Sequence, residues 1–215
     1  MADPFAVKDC ALIAIATGEH AQNLREMRDH LLTVHPGCIY HHFWGGMLQP
    51  RFDEPEYMND FAAWAWRGLH DPGLAERLAL IDPTHYRDLE ELRRELLEVI
   101  EERLDETEMV PWSRTGQAFH FIRSRIVVFD TRIRISHPRE LRDRIGQLPL
   151  GSVFYHFVDA RRRAPIGKND FSAWLMSLDG DWSELAEILG NVDPYFTTLA
   201  ELRREFEEVL KAYAV

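Results

Sequence analysis

Four histidines, His30, His35, His41 and His42, crowd into one short stretch, and the chain holds 10 in all. Such a cluster raises two kinds of chemistry, a metal centre and a general base. A zinc site needs three or four ligands in a suitable geometry, and no HExxH or CxxC pattern supplies them here. The two cysteines, Cys10 and Cys38, are far apart in sequence. We therefore expect no metal and no cofactor. The chain carries its own control, because several segments occur twice. Only His42 has a counterpart, His156, whereas His41 matches Tyr155 and His30 and His35 match nothing obvious.

The repeated residues are His42 and His156, Asn59 and Asn169, Asp60 and Asp170, and Trp64 and Trp174. A histidine facing the start of the following helix could donate to the aspartate there. That pair could poise a base, making His42, Asp60, His156 and Asp170 the catalytic candidates. The same pair would also fix the angle between two helices, with Asp60 and Asp170 read as N-caps. Capping plus burial of Phe and Trp explains the pattern without any reaction, and this bland reading weighs more. Cys38 and Ser152 each precede the repeated histidine by four residues, so a nucleophile and a base would share a helix face. No Gly-x-Ser-x-Gly elbow, dinucleotide fingerprint or phosphate loop accompanies them; Gly45-Gly46 stands alone. Arg161-Arg162-Arg163 is a candidate anion clamp, and Trp112, within a polar stretch, is a candidate contact point.

Four matches occur in order. Gly37-Cys38-Ile39-Tyr40-His41-His42-Phe43 matches Gly151-Ser152-Val153-Phe154-Tyr155-His156-Phe157, and Asn59-Asp60-Phe61-Ala62-Ala63-Trp64 matches Asn169-Asp170-Phe171-Ser172-Ala173-Trp174. Asp82-Pro83 matches Asp193-Pro194, and Leu89-Glu90-Glu91-Leu92-Arg93-Arg94-Glu95 matches Leu199-Ala200-Glu201-Leu202-Arg203-Arg204-Glu205. The offset drifts only from 114 to 110, so the pattern reads as a tandem duplication with short gaps. We place a first module at 1–106, a joint at 107–118 containing Pro111 and Gly116, and a second module at 119–215.

The elements follow from periodicity. Ala11 to Ala16 and Ile126 to Phe129 are short apolar runs and read as strands. Helical spacing marks Leu24, Met27 and Leu31, then Leu141, Ile145 and Leu148. Helices are also expected from about Gly37 and Gly151, from Asn59 and Asn169, and near Leu74 to Leu80 and Trp182 to Leu189. The clearest stripes are Leu89, Leu92, Leu96, Val99 and Leu199, Leu202, Phe206, Val209. The expected fold is mainly α: two pseudo-symmetric helical modules, each with one short strand, the strands paired between modules because a lone strand leaves its backbone unsatisfied.

The apolar share of 46% suits a packed core, and a net charge of −11 argues against nucleic-acid binding. Charge is uneven: Asp71 to Glu108 holds 13 acidic and 5 basic residues, while Phe119 to Gly146 holds 7 arginines against 3 acids. No apolar run approaches the roughly 20 residues of a membrane span, and Met1 to Phe5 lack the basic and apolar pattern of a signal peptide, so none is expected. We expect a cytoplasmic protein, monomeric or homodimeric, with no membrane partner.

The segments His42-Phe43, Asn59 to Trp64, Tyr155-His156-Phe157, Asn169 to Trp174 and Leu185-Ala186 together resemble a bacterial and archaeal domain of unknown function, family 5752, over about Phe5 to Ala212. The resemblance carries no activity. It implies an accessory role beside carbohydrate-active enzymes and assigns no residue. The first copy departs from the commoner pattern through an insert, Gly45 to Met58. The expected function is therefore a non-enzymatic interaction or regulatory protein whose partner is another protein. The alternative is a hydrolase or transferase on a sugar or phosphate substrate, with the His/Asp pair as base and Arg161 to Arg163 as clamp.

Overall fold

Phenylalanines anchor the two strands, β1 (Phe5–Ala21) and β2 (Phe119–Ile135), each of 17 residues. The computed structural model describes residues 3–49, 56–106, 116–163 and 167–213. The strands pair with each other in one two-stranded sheet. They run antiparallel, since Thr17 Oγ1 donates to the Phe121 carbonyl and Thr131 Oγ1 to the Val7 carbonyl, both at 2.6 Å. The expectation of one short strand per module is thus corrected. The apolar runs that marked the strands form only their middles, which are the most open part: Ile13 is 50% and Phe129 51% exposed. Burial sits at the two ends of each strand, at Phe5, Val7 and Ala21 of β1 and at Phe119, Phe121 and Ile135 of β2. Polar residues fill the remainder, as suits a ribbon open to water, so hydropathy undercounts its length.

The chain divides into two compact units. A central unit holds Leu12–Arg125, and a terminal unit holds Met1–Ala11 together with Ile126–Val215. Each strand therefore gives one portion to each unit. The central unit contains α1 (Leu24–Leu31), α2 (Pro36–Trp44), α3 (Asp60–Arg67), α4 (Pro72–Ala79) and α5 (Leu89–Glu106). The terminal unit contains α6 (Pro138–Ile145), α7 (Leu150–Val153), α8 (Asp170–Leu175), α9 (Ser183–Asn191) and α10 (Leu199–Ala212). After α7 the chain continues as a π turn (Phe154–Val158) and a 3₁₀ turn (Asp159–Arg162).

Local chemistry starts these helices. Asn23 caps α1, Pro138 opens α6, and Thr198 with Glu201 forms a capping box on α10. On α5 the buried stripe is Leu92, Leu96 and Ile100; on α10 it is Leu199, Leu202, Phe206 and Leu210. One arginine of each repeated Arg-Arg pair ties the last helix of its unit to the end of the first. Buried Arg93 donates to the carbonyls of Leu31 and Val34, and Arg203 to that of Leu148. These bonds satisfy carbonyls near a helix end.

Two backbone details recur. Gly37 and Gly151 each sit at the start of the histidine helix, where a strand passes close. A methyl group on Gly37 would meet Arg123 Cγ at 2.7 Å and the Ser124 carbonyl at 3.1 Å. On Gly151 it would fall onto the Cys10 carbonyl and the Asp9 carboxylate. Each strand also turns through the left-handed region once, at Gly18 (φ 83) and at Arg132 (φ 63). The preceding threonines, Thr17 and Thr131, accept from the N–H groups of Glu19 and Ile133 across these positions.

Two stability changes should follow in denaturant titrations. Gly151→Ala should cost about 1–3 kcal/mol, and more than Gly37→Ala, because the Cys10 backbone cannot step aside as the Arg123 side chain can. Arg132→Gly should gain up to about 1 kcal/mol by removing the side-chain clash of the left-handed conformation. A loss on Arg132→Gly would show that the arginine side chain holds the turn.

Candidate functional site

The repeated histidines occupy matching places in their units. In the central unit His42 lies on α2 with its side chain 3% exposed, and its Nδ1 is 2.9 Å from Asp60 Oδ2. The Ile122 N–H of β2 donates to its Nε2 at 3.1 Å. In the terminal unit His156 lies in the π turn, equally buried, with Nδ1 2.7 Å from Asp170 Oδ2. The Lys8 N–H of β1 donates to its Nε2 at 2.7 Å.

A backbone N–H can only donate, so each Nε2 is unprotonated. The one ring proton then sits on Nδ1 and is donated to the carboxylate. Both imidazoles are therefore neutral, with both nitrogens engaged. For His156, burial pushes the pKa below the ordinary histidine value, against the opposing pull of the Asp170 hydrogen bond.

The structure thus brings together each sequence-derived pair, His42 with Asp60 and His156 with Asp170. The aspartates, however, are not the caps. Asn59 Oδ1 accepts from the Ala62 N–H and Asn169 Oδ1 from the Ser172 N–H, both at 2.8 Å. Their amides donate to the Leu78 and Leu189 carbonyls, joining α3 to α4 and α8 to α9. Asp60 and Asp170 take the first helical position, which turns their carboxylates to the histidines.

Aromatic rings complete each cluster. Phe119 packs on His42 (4.5 Å), Phe61 (5.2 Å) and Trp64 (5.7 Å). Phe5 packs on His156 (4.7 Å), Phe171 (5.1 Å) and Trp174 (5.5 Å). Trp64 Nε1 donates to the Gln117 carbonyl and Trp174 Nε1 to that of Asp3.

The clusters differ at their rims. In the central unit His41 Nδ1 is 2.6 Å from Ser124 Oγ, and burial, then neighbouring His42, holds the His41 pKa down. Ligand atoms of His41, His42 and Asp60 lie within 4.8 Å of one another, as a metal triad would. Binding a metal at His42 Nδ1 would force its proton to Nε2, against the Ile122 N–H, so the bonding already present opposes such a site. In the terminal unit Arg163 takes part: Nη2 donates to Asp170 at 2.9 Å and to the Tyr155 carbonyl at 2.7 Å, and the guanidinium lies 4.1 Å from the Tyr155 ring centre.

The other sequence-derived residues fall elsewhere. Arg161 donates to the Gly190 and Val192 carbonyls and lies over Phe157, so Arg161 and Arg163 tie the terminal unit internally. Arg162, between them, is half-buried. Cys38 and Ser152 are fully buried. Burial raises the Cys38 thiol pKa, and the Ser152 hydroxyl has no hydrogen-bond partner among the described residues. Trp112 lies outside the described residues. Sequence reasoning missed an open cleft of about 300 Å³ in the central unit, lined by Leu69, His70, Pro72 and Arg77 beside Asp71 and Arg103. Arg103 Nε donates to buried Asp71 at 2.7 Å, and Arg77 pairs with Glu106 at 2.7 Å.

A buried neutral histidine makes stability depend on pH. The folded pKa of His156 lies below its unfolded value, so the unfolded chain binds more protons below about pH 6.5. The stabilisation is complete above that value and is lost as pH falls toward the folded pKa. Denaturant titrations at pH 7.5 and 5.5 should show the wild type weakening on acidification. His156→Gln should be less stable at pH 7.5 and show a shallower slope; an unchanged slope would mean that other groups set the acid response.

The chain matches the model of a family described as a family of unknown function, DUF5752, over residues 2–211. No curated protein matches it. Among solved structures it is similar to OrfY from Thermoproteus tenax, with 29% identity, a TM-score of 0.81, and coverage of 97% of this chain and 94% of that one. With the match extending over nearly its full length, the chain belongs to the family of unknown function DUF5752.

Proposed function

We propose that this is a cytoplasmic, non-enzymatic interaction or regulatory protein, made of one helical module in two copies and accessory to carbohydrate-active enzymes. One observation carries the reading. The polar groups repeated in both copies are turned inward: both nitrogens of His42 and His156, and both side-chain groups of Asn59 and Asn169, serve helix starts, carbonyls of the following helix and strand backbone. A base held in this way has no free lone pair for a substrate. Duplication is supported by the recurrence of these bonds at matching positions in the two units. The link to carbohydrate enzymes rests on the family resemblance alone. No helix among the described residues is long and apolar enough to cross a membrane.

Surface charge is unevenly distributed along the chain. On α5, Glu98, Glu102 and Asp105 are exposed; on and before α6, so are Arg132, Arg139 and Arg144. Charged rims of this kind steer a partner of opposite sign. Capture from extracts of the source cell should therefore retain a stoichiometric protein partner. Charge reversal at Arg139 and Arg144 should weaken its binding about 10-fold or more while leaving the fold intact. Retention of no partner would count against the proposal. Turnover of a sugar phosphate that is abolished by His42→Gln would replace it with the enzymatic reading.

A further inference from the structure

The cleft of the central unit carries polar groups that the repeated frame does not need. Leu74-Ala75-Glu76 and Leu78 recur as Leu185-Ala186-Glu187 and Leu189, and the Asn59 and Asn169 amides reach the Leu78 and Leu189 carbonyls alike. In that register Asp181 stands where the central unit has His70, Trp182 where it has Asp71, and Ile188 where it has Arg77. On the last helix of the terminal unit Tyr213 stands in place of Arg103. These four polar residues of the cleft therefore belong to one unit, while the apolar frame around them recurs in the other.

Their bonding builds an anion grip. Asp71, only 6% exposed, accepts from the Leu74 N–H at 3.1 Å through Oδ1 and from Arg103 Nε at 2.7 Å through Oδ2. A buried ion pair adds little stability over apolar packing, but this one fixes the Arg103 guanidinium. Arg103 Nη1 in turn lies 3.1 Å from Glu106 Oε2, and Arg77 Nη2 lies 2.7 Å from Glu106 Oε1. One carboxylate thus spans two guanidiniums, an oxygen to each. Two oxygens on one central atom are also what a phosphate group presents. Arg77 and Glu106 are each 41% exposed, and an ion pair that open is worth about 0–1 kcal/mol, so an anion from solution can compete with Glu106. A doubly charged anion gains more from two guanidiniums than the single charge of a glutamate does.

We propose that this cleft binds a small phosphorylated compound, whose phosphate takes the place of the Glu106 carboxylate between Arg77 and Arg103, with His70 as a further donor. A volume of about 300 Å³ is at the small end for ligand sites, which suits a phosphate ester of a few carbons and excludes a polymer. Leu69 and Pro72 supply the apolar part of the lining for its carbon end. The site lies within the central unit and stands whether or not the chain docks a protein partner.

Inorganic phosphate titrated into the full chain at constant ionic strength, followed by calorimetry and amide NMR, tests this. The wild type should bind it with a dissociation constant on the order of 1–10 mM, with shifts concentrated at Leu69 to Arg77. Glu106→Gln removes the internal competitor and should tighten binding about 3-fold or more. Arg77→Ile installs the side chain found at the matching place in the terminal unit and should weaken binding at least about 10-fold, with an unchanged helical circular-dichroism signal. Arg94→Gln, an exposed arginine on α5 away from the cleft lining, should change nothing. Glu106→Gln protein that binds no phosphate at about 50 mM overturns the proposal. So does a loss on Arg94→Gln equal to that on Arg77→Ile, which would mean diffuse attraction by surface charge. Acetate bound as tightly as phosphate overturns it equally.

Discussion

A backbone amide aimed at a buried imidazole is the constraint on which each unit depends. The N–H of Lys8 or Ile122 fixes the tautomer of His156 or His42, and the tautomer in turn presents a proton to the aspartate that begins the next helix. One ring thereby connects three elements: a strand, the helix or turn that carries the histidine, and a helix start. Phenylalanines from the same strand cover the ring, which keeps water from competing for its bonds. A side chain that is acceptor and donor at opposite ends suits this place; a lysine offers donors only, and an amide is shorter and differently shaped.

This arrangement resembles a catalytic pair in sequence. A histidine beside an aspartate is the usual outline of a base and its orienting group, yet the free nitrogen that would make it a base is occupied by main chain. The rims show how the same frame tolerates variation. Arg163, lying over the Tyr155 ring, pairs with Asp170 in the terminal unit, while His41 and Ser124 stand at the corresponding rim of the central unit, where Asp60 is 49% exposed. The inner bonds are the same in both.

Much of this frame could be read before the structure, and the exceptions have physical causes. The helices announced themselves through apolar spacing, and the His/Asp pairs through repetition. The strand lengths did not, because a ribbon wet on both faces has no hydropathy signal; its apolar middle is exposed and only its ends are buried. The donors to the histidines were invisible because any residue offers a backbone N–H, so Lys8 and Ile122 need share no chemistry. The caps were assigned to Asp60 and Asp170 rather than Asn59 and Asn169 because either residue type can cap. Thr17 and Thr131, and Arg93 and Arg203, were legible in principle, as identical residues at matching positions, and pointed to the strand turns and the helix-end ties.

The way β1 and β2 are apportioned has a consequence for what half of this protein could be. The strand portion that reaches His42 precedes α6 in the chain, and the one that reaches His156 precedes α1. A polypeptide containing one set of five helices and its own leading strand would carry a front half matched to some other histidine, and a histidine lacking its amide. It could complete itself only by strand exchange with a second molecule. Joining the two sets in one chain turns that reciprocal loan into an intramolecular arrangement, independent of protein concentration.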